Sequence, residues 1–220
     1  MHTKLALALV TVIVTGGIAT VASAKATVEK DKFKGSQAFT TFQVNEALTC
    51  ADGSSGSVFA SGSFSGSDSV TKETGTPKTT SNGVFLEVDI YSNSCTGVAI
   101  EFGTGGITGG YTPPGKSLSS AELTGTGSVQ DIGTGATFPV TLDLVFEGTG
   151  PLTKSKEHSK TRTVQTPDGP ITIVEDTSAN SNRAADVSGT LSIAGEEVDA
   201  TFSTGTLSSN ADREITITKN

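Results

Sequence analysis

The chain has 220 residues, a formal net charge of −8 and no tryptophan; 34% of its residues are hydrophobic, 5% are aromatic and 26 are glycine. The acidic balance argues against a nucleic-acid partner, whose phosphates it would repel. The shortage of aromatic residues argues against an outer-membrane barrel, which needs interfacial girdles of them.

At the N-terminus, Lys4 is followed by an apolar run from Leu5 to Val14, a Gly16-Gly17 break and the small residues Ala22-Ser23-Ala24. That order reads as a secretory signal peptide over residues 1–24. An uncleaved anchor is the alternative, and the glycine pair and the Ala-Ser-Ala end argue against it. No membrane span is expected after cleavage. Residues 25–35 are Lys-rich and weakly apolar and read as a flexible leader. Residues 36–220 suit a single all-β domain.

Gln37 to Val44 and Val58 to Phe64 read as strands, separated by the turn-rich Asp52-Gly53-Ser54-Ser55-Gly56. Cys50 and Cys95 are the only cysteines. In an exported chain an even pair is most simply one disulfide.

The strongest architectural signal is a heptapeptide that occurs three times: Phe64 to Val70, Leu123 to Val129 and Val187 to Ile193. Its pattern is apolar, Ser/Thr, Gly, Ser/Thr, any, Ser, Val/Ile. Side chains alternate between faces along a strand. The odd positions therefore form an inward face, with Asp68 an exception in the first copy, and the Ser/Thr positions face outward. The central glycine of each copy is expected to make room for a large residue from a facing sheet. Return strands follow each copy: Leu86, Val88 and Ile90; then Val140, Leu142, Leu144 and Phe146; then Val198, Ala200 and Phe202. Turn-forming residues join each pair, so three hairpins are predicted.

Between the first and second hairpins, Val98 to Phe102 reads as a short strand and Gly103 to Lys116 as a long glycine-rich loop. Long loops in small domains tend to carry function, which makes Tyr111 and Lys116 candidate contact residues. Residues 152–179 read as an inserted, projecting hairpin turning at Pro167-Asp168-Gly169-Pro170. Its basic first arm should bring Lys160 near Glu175 or Asp176. Ile215-Thr216-Ile217-Thr218 reads as a final alternating strand.

Catalytic motifs fare poorly. Gly110 to Ser117 matches the P-loop pattern, but Pro113-Pro114 removes two amide donors and a strand, not a helix, is predicted next. Beyond the signal His158 is the only histidine, on a polar arm. With it and two cysteines no ordinary zinc site can be assembled from nitrogen and sulfur ligands, and no Gly-x-Ser-x-Gly elbow exists. Asp52 offers one carboxylate where calcium wants many more oxygens. Glu87, Asp89, Asp143, Glu147 and Asp199 all fall at outward positions and read as a solvated acidic face. No metal or cofactor is expected.

The fold expected is an antiparallel β-sandwich built from repeated hairpins, with a closed lipocalin-sized β-barrel as the alternative. The function expected is that of a secreted, disulfide-stapled, non-enzymatic module that binds an extracellular or cell-surface partner. One alternative is a carrier of a small apolar ligand inside a barrel. Another is a carboxylate-based glycan hydrolase, for which only Tyr91 and Tyr111 are expected to offer sugar platforms.

Overall fold

The computed structural model describes residues 31–219 apart from 74, 158, 168, 177 and 214. The signal segment and His158 lie outside the described residues. The described chain is all-β: β1 Lys32–Thr49, β2 Ser55–Lys72, β3 Thr79–Asn93, β4 Val98–Ile100, β5 Gly103–Thr108, β6 Tyr111–Thr112, β7 Ser120–Asp131, β8 Thr137–Lys156, β9 Lys160–Thr166, β10 Gly169–Glu175, β11 Ala179–Ile193, β12 Glu196–Val198, β13 Thr201–Phe202, β14 Gly205–Arg213 and β15 Ile215–Lys219. β1 begins inside the stretch that composition suggested was a leader. Among the described residues no helix is long and apolar enough to cross a membrane.

All pairings are antiparallel, and they close. The order β1-β2-β3-β5-β7-β8-β11-β14 returns to β1, a ring of eight strands. Inside the ring is one packed core containing Phe42, Phe64, Leu123, Leu142, Leu144, Phe146, Leu191 and Ile193. Phe42 and Phe64 stack with ring centroids 4.9 Å apart. Closed pairing and the filled interior of a sandwich thus occur together.

The heptapeptides supply this core as their alternation requires. Phe64, Leu123, Val129, Leu191 and Ile193 are buried, and their hydroxyl neighbours lie on the outer face. The hairpins β2-β3 and β7-β8 are present, and the third, β11-β12, is shorter than expected: its return arm pairs back only as far as Val198, and Thr201–Phe202 pairs with β1 instead. The central glycines have two different reasons. Gly66 does make room, because a Cβ there would stand 2.5 Å from the Tyr111 ring and 3.0 Å from Leu123. Gly125 and Gly189 instead have φ of 132° and 138°, a backbone that side chains disfavour.

Two stretches depart from expectation. In β3 the pairing with β2 shifts between Ser61 and Gly62, so that Asp89 is the extra residue of a bulge. The alternation inverts beyond it: Ile90, expected inside, is 39% exposed, whereas Tyr91 and Asn93 are buried. Gly103 to Thr108, expected as loop, is the ring strand β5 between β3 and β7. Its glycines permit the closeness, since a Cβ on Gly105 would overlap the Ser128 carbonyl and one on Gly106 would stand 2.8 Å from that of Val84.

The hairpin expected at 152–179 is part of something larger. Residues 152–156 belong to β8, and β9-β10 is joined by β15 into a separate three-stranded sheet. β9, β10 and β15 adjoin β8, β11 and β14 in the chain and keep their lateral order, so the sheet prolongs that part of the ring wall. Lys160 does pair with Glu175 in register, while the ion pair formed is Arg162–Glu175 at 3.3 Å.

Candidate binding face

Six adjacent ring strands, β8, β11, β14, β1, β2 and β3, present a continuous outer face. Two consecutive cross-strand rows on it carry no charge. One runs Ser155, Asn180, Asn210, Gly35, Ser69, Ser81. The next runs Thr153, Asn182, Ser208, Gln37, Ser67, Gly83. Apart from the two glycines, every position is a hydroxyl or an amide. The rows line most of an open trough of about 600 Å³.

Local chemistry holds the side chains in place. Gln37 donates from Nε2 to Ser65 Oγ at 2.8 Å, and the hydroxyls of Ser69 and Ser81 meet at 2.8 Å. Gly35 forms the low point of the floor. An added Cβ there would lie 3.0 Å from both Asn210 Oδ1 and the tip of the Phe33 ring. Phe33 therefore lies along the trough at one end. At the other, Phe39 (41% exposed) and Phe85 (50%) flank Ser65 in the following row.

Serine, asparagine and glycine are poor strand formers. Their concentration in paired central strands runs against propensity, the kind of local conflict that marks functional surface. Three residues of the alternate, inner-facing positions, Ser36, Asp68 and Ser209, also reach the trough lining, and Asp68 is the one charged residue there. Ser36 Oγ donates to the Asp68 carboxylate and meets the Tyr111 hydroxyl at 3.1 Å. Asp68, expected where its strand leaves the core, is thus on the inner face and partnered.

The residues singled out from sequence are dispersed. Cys50 and Cys95 form the expected disulfide, with Cα atoms 5.2 Å apart, at the opposite end of β1 and β2 from the trough. Tyr111, expected as a contact residue, is buried instead. Asn82 grips its backbone, donating to its carbonyl at 2.7 Å and accepting from its N–H at 3.2 Å. Burial pushes its phenol up to about 12. Lys116 is exposed in a turn anchored by buried Leu118, whose N–H donates to the Gly115 carbonyl at 2.9 Å. Tyr91, the other expected sugar platform, is fully buried, and burial raises its pKa. The P-loop-like stretch leads into β7, a strand. The Asp52 carboxylate is engaged by the Ser54 amide at 2.9 Å and its hydroxyl at 2.6 Å.

Sequence reasoning missed Phe33, Phe39, Phe85, Asn180, Asn182 and Asn210. Alternating Asn180-Ser181-Asn182 and Ser65-Gly66-Ser67-Asp68-Ser69 were visible signals. Their assembly from strands far apart in the chain was not.

No protein-family model matches the chain. No curated protein matches it by sequence. Among solved structures it is similar to an acetoacetate decarboxylase-like enzyme from Sphingomonas wittichii RW1, with a TM-score of 0.31 and 10% identity over 86% of this chain and 92% of the other. A likeness at that level assigns neither fold nor chemistry.

Proposed function

We propose that the protein is an exported, disulfide-stapled binding module whose contact surface is the uncharged outer face of β8, β11, β14, β1, β2 and β3. The observation that carries this reading is the pair of charge-free rows across six strands, in a chain that is 17% charged. Export is supported by the signal-like N-terminus and by the Cys50–Cys95 bond, which suits an oxidising compartment. Non-enzymatic action is supported by the make-up of the two rows, where no carboxylate, histidine or cysteine stands at any position. A ligand carrier gains no support, because the ring interior is occupied by core side chains.

The test compares outer faces on opposite sides of the ring. The exported protein is passed over immobilised polysaccharide, protein and phospholipid fractions of the producing organism. One fraction should retain it. Ser67→Arg, in the trough, should abolish retention. Thr126→Arg, on the exposed face of β7, three strands from β2 around the ring one way and five the other, should leave retention intact. Equal behaviour of the two variants contradicts the proposal.

A further inference from the structure

We propose that the ligand of this face is a neutral polysaccharide chain, a step that rests on the binding-module reading above. Every side chain in the two rows is a hydroxyl, which both donates and accepts, or an amide, which offers separate donors and an acceptor. Sugar hydroxyls ask for that mixture. Anionic ligands ask for something else: phosphate, sulfate and uronate are held by arginine or lysine, and neither row contains one. A protein partner would favour a centre of aromatic and Arg anchors, and a membrane would favour an apolar face with basic flanks. The centre here is Asn210, Gly35, Ser69, Ser208, Gln37 and Ser67.

The aromatic rings stand where a sugar chain could use them. Phe33 lies along the floor beside Gly35, and Phe39 and Phe85 border the far side. The C–H faces of pyranose rings stack on such surfaces, and the face needs neither tryptophan nor the buried tyrosines to supply them. A six-strand row spans five inter-strand steps of about 4.8 Å, or roughly 24 Å. That is the length of several linked sugars, so the site is built for a chain and not for one ring.

The exported protein is applied to a printed array of neutral and acidic oligosaccharides, and the best neutral tetrasaccharide is then titrated calorimetrically. Neutral glycans should bind and uronate-bearing ones should not. Phe33→Leu keeps Gly35 covered but removes the aromatic face; it should weaken binding at least fivefold with an unchanged melting transition. Asn180→Ala should do the same. Phe59→Ala, at a more exposed ring (46%) eight residues along β2 from Ser67, should bind as the parent does. Absence of neutral-glycan binding, preference for acidic glycans, or an equal loss in Phe59→Ala overturns the proposal. If Ser67→Arg releases the protein from a protein or lipid fraction instead, the glycan assignment fails and the binding face stands. If it releases nothing, both fail.

Discussion

Asp131 shows how a single buried carboxylate can hold a corner of the ring. It has almost no exposed surface, and its oxygens accept from the Thr134 amide at 2.9 Å and the Glu101 amide at 3.3 Å. Those amides favour the charged form and hold its pKa below the usual carboxylate value, the Thr134 bond most of all. A depressed native pKa contributes stability that is complete above the unfolded value of about 3.9 and is lost as pH falls through the native one. Urea midpoints at pH 7 and pH 3 should therefore differ more in the parent than in Asp131→Asn. A variant with an unchanged pH dependence would show that the turn does not depend on the charge. Gly66 gives a second prediction. Gly66→Ala drives a methyl into Tyr111 and Leu123 and should cost about 1–3 kcal/mol by overpacking, read from the denaturation midpoint. A midpoint equal to the parent's would mean that the interior yields there. At this scale the sequence was partly readable. Leu123 and Ile193 announced their faces through local alternation, whereas Ile90 and Tyr91 were inverted by a bulge that depends on the register with a partner strand.

Among the elements, the disulfide closes a span of 45 residues that contains the first heptapeptide hairpin. Chain-entropy reasoning gives about 4 kcal/mol for such a loop. Replacing both cysteines by serine should lower unfolding free energy by about that amount, and an unchanged denaturation curve would refute the estimate. The three-stranded sheet should behave differently from the ring it prolongs. β9 and β15 are edge strands, and Val164, Ile215 and Ile217 stay 38–50% exposed. Few buried contacts mean low local opening free energies. Amides of β9, β10 and β15 should exchange with deuterium at least tenfold faster than those of β1, β2, β8 and β11, and matched protection would show that the sheet is part of the ring's cooperative unit. The hairpin core of this sheet was legible because Pro167 to Pro170 is strong turn chemistry. Its third strand came from the C-terminus, a pairing that local pattern does not encode. β5 was hidden for the opposite reason: Gly103, Gly105 and Gly106 look like loop, and only the closeness of β3 and β7 explains them.

For the molecule as a whole, ring closure turns separate stretches of serine and asparagine into one surface. Ser155, Asn180, Asn210, Gly35, Ser69 and Ser81 span much of the sequence and meet only because β14 pairs with both β11 and β1. The all-β antiparallel class, the three hairpins and the disulfide could be read from the chain. The proposed binding face could not, because each of its residues looks like ordinary solvated strand until the order of strands is known. The central claim is that the trough floored by the two charge-free rows is where the ligand lies, and its side-chain amides make it directly observable. In a heteronuclear NMR titration with a neutral tetrasaccharide, the amide groups of Gln37, Asn180, Asn182 and Asn210 should shift together while the backbone of β7 around Thr126 stays still. Shifts confined to the turn around Lys116 or to the sheet of β9, β10 and β15, with those four amides unmoved, would contradict it.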